Sequence, residues 1–233
     1  MNTHRKTAII VGVLYITATV AGILSLIGTG AIHAPDYLIN VSANGNQIII
    51  GALFSLIMAV SVAGIGVMMF PILKKQNEAL ALGYVGARIV EAVMFIVTVI
   101  SWLLLLILSQ EYVKAGAPDV SYFQTIGTLF MAERYWPTLM VAIFFSLGAL
   151  MFYYLLYRSK LIPRFISVWG LIGATLVLSG ALSDMFGYNL EMMIYGSLMG
   201  LNELFLGVWL IAKGFNSSAI ASSSAKTDIN GIK

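Results

Sequence analysis

Arg88 and Glu91 stand three residues apart within an apolar run, residues 79–108, where a bilayer would make both charges costly. A charged side chain at the centre of a membrane helix costs at least about 2.5 to 3.5 kcal/mol on insertion scales. Two such groups on one span therefore need partners, a wet cavity or a task. The i, i+3 spacing puts them on one helix face, where a guanidinium can reach a carboxylate. Three kinds of chemistry are open to such a pair: proton exchange, binding of a charged ligand, or an ion pair that fixes helix packing.

A third charge is expected at the same depth. Arg88 lies ten residues beyond Glu78, at the start of its apolar run, and Glu203 lies ten residues before Lys213, at the end of another. With a rise of about 1.5 Å per residue, both come out about 15 Å deep, near the midplane of a bilayer. Glu203, with Asn202 beside it, is thus the expected interhelical partner of Arg88. Tyr15 and Thr19 share one face of the first helix at a comparable depth, and Ser61, Ser146 and Thr175 are expected to add hydroxyls to the layer. The predicted ligand- or proton-binding set is Arg88, Glu91, Glu203, Asn202, Tyr15 and Thr19.

The charges of this set do not cancel. Arg88 stays protonated in a protein, so two ionised glutamates leave one net negative charge in low dielectric. A proton on one carboxyl, a cation or a cationic small molecule would balance it, which gives a proton-linked or small-ligand binding or transport-like protein. The alternative is a non-catalytic structural or partner-binding membrane subunit, in which the cluster only holds two helices together.

The elements that must position these residues follow from composition. Of 233 residues, 60% are hydrophobic and 10% charged, against roughly a quarter charged in soluble domains. Mean hydropathy is +0.93. The fold class expected is all-α: a polytopic membrane protein with six transmembrane helices in one bundle. Apolar segments mark the spans at about 7–29, 47–73, 79–108, 136–157, 165–186 and 192–212, each long enough to cross a core of about 30 Å. Residues 1–215 form the membrane domain, and the Ser-rich tail, 216–233, is expected to be disordered. The first apolar segment exceeds the roughly 7 to 15 residues of a signal-peptide core, so it reads as a retained helix.

Basic residues orient the bundle. With a cytoplasmic N-terminus, Arg5, Lys6, Lys74, Lys75, Arg158, Lys160, Arg164 and Lys213 lie at the inner face, against Lys114 and Arg134 outside. That excess puts both termini in the cytoplasm. The net charge of +3 is thereby accounted for by topology, and no nucleic-acid partner is expected. Between the third and fourth spans, Phe123, Ile126, Phe130 and Met131 recur at helical spacing after Pro118 and Asp119. This predicts a short interfacial helix, with Pro137 near the start of the following span. Small residues, including the pair Gly196 and Gly200, read as packing contacts within the bundle.

Enzyme chemistry finds little support. Two histidines, His4 and His33, and no cysteine argue against a Ser/His hydrolase and against a zinc site, and no phosphate-binding loop is present. No metal or other cofactor is expected, the bilayer is the one certain partner, and oligomeric state is not readable. Three stretches carry a family resemblance. These are His4-Arg5-Lys6 before a span containing Tyr15, the run from Gly83 through Arg88 to Glu91, and Asn202-Glu203 through Trp209 to Lys213-Gly214-Phe215. In this order and spacing the chain resembles a bacterial family of six-helix membrane proteins catalogued as domain of unknown function 4386. The resemblance implies the six-span topology and a bacterial plasma (inner) membrane, and it brings no activity, substrate or catalytic residue with it.

Overall fold

A computed structural model describes residues 3–117, 121–188 and 192–220, with backbone only at 121, 131–135, 192 and 193. All regular structure among the described residues is helical. The helices are α1 (Thr3–Gly28), α2 (Tyr37–Ala43), α3 (Gly45–Leu73), α4 (Glu78–Lys114), α5 (Ser121–Ser159), α6 (Arg164–Met185) and α7 (Met192–Ala212), with a 3-10 turn at Gly30–His33. Six stretches are long and apolar enough to cross a membrane: α1, α3, α4, the Trp136–Ser159 part of α5, α6 and the Ile194–Ala212 part of α7. Apolar side chains such as Val60, Leu82, Ile107 and Phe165 stand exposed on the bundle surface, as lipid contact demands. The protein is an integral, multi-pass membrane protein.

Helix ends are fixed by ordinary local chemistry. Asn77 caps α4 by accepting from the Leu80 N–H at 2.9 Å, and Glu78 and Lys114 carry charges suited to the two ends of its dipole. At the C-terminus of α7 the cap comes from a distant residue. The Arg5 guanidinium of α1 donates to the carbonyls of Leu210 at 3.0 Å and Ile211 at 2.6 Å, while Gly214 takes the positive φ of 72° that turns the chain away. This ties the first span to the last.

The six spans close a ring. α1 packs on α3, α3 on α4, α4 on α5, α5 on α6, α6 on α7 and α7 back on α1. The end that carries the N-terminus of α1 and the C-terminus of α7 is filled by one core of Tyr15, Met69, Tyr84, Phe152, Tyr153 and Leu206 with their neighbours. Basic residues flank the helix ends there, so it is called the basic end. A second core, at the opposite end, joins Ile32, Leu38, Ile48, Val99, Trp102 and Phe123 and takes no residue from α6 or α7 among those described. One end of the ring is packed across its width, and the other is packed on one side only.

Three expectations need correction. The segment before the fourth span is helical but continuous with that span as α5, with Pro137 inside the helix; its expected start at Pro118 and Asp119 lies outside the described residues. Phe123 is buried against Tyr112 at 5.4 Å between ring centroids, and this docking holds the extension against α4 and α2 without a break at the proline. α2 and the 3-10 turn were not anticipated, because their apolar residues are few and become a core only in contact with α4. The tail also begins differently from the disorder expected of it. The Asn216 N–H donates to the Leu161 carbonyl at 2.9 Å and Ala219 joins the basic-end core, while residues 221–233 lie outside the described residues.

Candidate functional site

Arg88 sits where the filled end of the ring gives way to open space. Its Nη1 donates to Glu91 Oε2 at 3.0 Å and Oε1 at 3.3 Å, and its Nη2 donates to Glu203 Oε1 at 3.3 Å. The i, i+3 pair on α4 and the cross-ring partner on α7 are thus brought together on one guanidinium. The plane of that guanidinium lies between two aromatic rings, 5.6 Å from the Tyr84 centroid and 5.2 Å from that of Phe145, an arrangement that stabilises a cation electrostatically. From α3, Gly66 completes the enclosure: a Cβ there would stand 3.1 Å from Arg88 Cβ, tighter than an ordinary contact, so glycine lets α3 lie close on the arginine stem.

The three charged groups differ in exposure. Arg88 and Glu91 are 2% exposed, whereas Glu203 is 19% exposed. Among the described residues no donor meets Glu203 Oε2. One guanidinium against two carboxylates leaves one negative charge if both acids are ionised, and the oxygen best placed to carry it is the one on the open side.

That open side is a cavity of about 370 Å³, lined by Tyr15, Thr19, Arg88, Glu91 and Glu203 at its charged end and by Met58, Phe95, Val141, Val177 and Met199 along its walls. It adjoins a second cavity of about 260 Å³ toward the far end. Gly22, Leu26, Met58, Phe95 and Val141 line both, so the two cavities share a wall and together reach from the charged layer to His33, Thr29 and Trp102. Toward the basic end it is closed. Tyr84 stacks on Phe152 at 4.9 Å, Phe152 meets Tyr153 edge-on at 5.1 Å, and Tyr15 lies 6.4 Å from Phe152.

The seam between α1 and α7 widens along the cavity. At the basic end the helices touch, since a Cβ on Gly12 would stand 2.6 Å from the Gly207 carbonyl oxygen. Two turns along α7, an added Cβ on Gly200 meets nothing within 4 Å among the described residues, and the same holds at Gly196 one turn further. The expectation that this glycine pair packs the bundle is therefore wrong. These glycines line the cavity opposite Ile23 and Leu26, and the helix contact is made instead by Gly12 and Gly207.

Of the predicted set, Arg88, Glu91, Glu203, Tyr15 and Thr19 line one cavity, and Asn202 does not. Asn202 is fully buried and its Nδ2 donates to the Ile166 carbonyl of α6 at 3.1 Å; adjacent residues on a helix point about 100° apart, so it cannot share the direction of Glu203. Ser61, Ser146 and Thr175 also fall outside. Each donates to the carbonyl four residues back, in Ile57, Ala142 and Leu171, and Thr175 is exposed on the outer surface. Their rotation about the helix axes, which residue counting does not give, turns them away from the cavity. The aromatic flanks were missed although one had a signal: Tyr84 precedes Arg88 by four residues and shares its face. Phe145 on α5 had none.

No curated protein and no solved structure matches the chain. The match of its residues 10–214 to a single family model covers the spans, the charged layer and both ends of the seam. By that match the chain belongs to the family described as Domain of unknown function (DUF4386).

Proposed function

We propose that this protein binds a small ligand, or a ligand together with a proton, at the charged end of the cavity, and that it does so in a bacterial plasma membrane with its basic end in the cytoplasm. The observation that carries this reading is the pair of adjoining cavities, with shared walls, that extend from Glu203 toward the far end of the bundle. A cluster serving only to fix packing has no use for a cavity beside it, because unfilled volume destabilises. The excess of basic residues at one end supports the orientation. The charged and titratable groups around Glu203 are Arg88, Glu91 and Tyr84 of α4, Tyr15 of α1 and Tyr153 of α5, and a proton taken up by this group would remove the unbalanced negative charge.

The chain has no native cysteine, so accessibility can be read directly. Gly200→Cys places a thiol on the cavity wall, and Ala149→Cys places one in the filled basic end, where Ala149 is 0% exposed. A membrane-impermeant maleimide added to intact cells is expected to label the first and spare the second. Absence of label at Gly200→Cys, in protein shown to be folded, would refute the reading and leave a packing cluster.

A further inference from the structure

The walls of the cavity select for charge sign as well as for size. Thr19 donates its hydroxyl proton to the Tyr15 carbonyl at 3.0 Å, Ser25 to Gly51 at 2.9 Å, Thr29 to Ser25 at 2.9 Å and Thr98 to Met94 at 3.0 Å. A hydroxyl whose proton is engaged on a backbone carbonyl keeps only acceptor lone pairs for a visitor. Four hydroxyls lining the two cavities are thus committed as acceptors. The Glu203 carboxylate adds an acceptor at the closed end, while both Nη atoms of Arg88 are already engaged by carboxylates and its guanidinium lies over the Tyr84 and Phe145 rings. Among the described residues, Trp102 Nε1 on the far cavity and Tyr15 OH and Arg88 Nε at the charged end are buried without a hydrogen-bond partner, and none of the three offsets the extra carboxylate.

The rest of the surface is apolar. Met58, Met199, Phe95 and Val177 present polarisable or aliphatic faces, and methionine walls adapt to ligands of varied shape. The open seam at Gly196 and Gly200 lies between α1 and α7. A fully hydrophilic cation would find most of this surface unfavourable, and an anion would meet an unbalanced carboxylate.

We propose that the cavity takes an amphipathic organic cation, its charged head at Glu203 and its apolar body along the seam between α1 and α7. This rests on the reading of the cavity as a ligand site and names the class of ligand. The combined space is of the size of small-molecule sites, about 300 to 1,000 Å³. The head replaces the missing positive charge of the layer, and Phe95 and Phe145 line the space around it.

The test uses the full chain in lipid nanodiscs and two probes of similar shape and opposite sign, benzyltrimethylammonium and phenylmethanesulfonate, followed by titration calorimetry. The first cannot carry a titratable proton, so its binding is independent of any proton linkage. Binding of the cation at least tenfold tighter than the sulfonate, a loss of tenfold or more in Glu203→Gln, and a loss in Gly200→Leu at unchanged melting temperature are expected. Equal or preferential binding of the sulfonate, cation binding indifferent to both substitutions, or no binding of either probe would overturn the proposal. Gly200→Leu keeps the test valid if Glu203→Gln fails to fold, and thiol labelling at Gly200→Cys shows separately whether the cavity itself stands.

Discussion

At the basic end, α1 and α7 meet through Gly12 and Gly207 so closely that a single added carbon would strike backbone; at the other end of the same seam, Gly196 and Gly200 face open space. The residue type and the helices are the same, and the roles are opposite. Glycine at the first pair removes bulk so that two backbones can approach, which in a bilayer replaces the hydrophobic drive that lipid cannot supply. At the second pair it removes bulk so that nothing fills the seam. The same contrast runs through the whole ring. Tyr15, Tyr84, Phe152 and Tyr153 fill the basic end, the core at the opposite end joins the 3-10 turn, α2, α3, α4 and α5 among the described residues, and the charged layer lies at the boundary.

The largest effect should come from the boundary itself. Arg88→Met leaves two carboxylates facing each other with no cation, and breaking a buried ion pair costs about 3 to 5 kcal/mol. Thermal denaturation in detergent is expected to show a melting temperature far below that of the parent, with partial recovery in the Arg88→Met, Glu203→Gln double variant. An undiminished melting temperature would mean that the layer does not join the two halves.

A smaller loss is expected at the tight end of the seam. Gly12→Leu overpacks a backbone contact, for which about 1 to 3 kcal/mol is typical, and the yield of monodisperse protein together with its melting temperature would register it. The smallest effect belongs to the open end, where a Cβ at Gly196 has room among the described residues and Gly196→Leu should leave stability within about 0.5 kcal/mol while reducing thiol labelling at Gly200→Cys by filling the entrance. If the leucines at positions 12 and 196 destabilise equally, the two ends do not differ as described.

Much of this arrangement was legible beforehand. The six spans were placed within a few residues of their observed ends, apart from a fourth that begins inside the long α5 and a third whose helix runs on to Lys114. The Arg88, Glu91 and Glu203 contact followed from depth alone. Asn202, Ser61, Ser146 and Thr175 were misplaced for one shared reason. Depth is set by counting residues from a membrane boundary, but the direction a side chain takes depends on how each helix is turned, and only its neighbours fix that. The second core was invisible for a related reason, because Leu38, Val41 and Phe123 belong to short or polar stretches whose apolar surface is buried only across three elements.

By itself the amino-acid sequence determined the membrane class, the number of apolar helices long enough to span and the residues whose charges must meet. It could do so because the bilayer imposes a fixed thickness and a steep cost for charge on any chain that crosses it. Tertiary structure alone decided that α7 closes the ring on α1, that the seam is sealed at Gly207 and open at Gly200, and that Glu203 keeps one oxygen toward a cavity. Those features depend on helix rotation and on contacts between residues far apart in the chain, and no local rule of spacing specifies either.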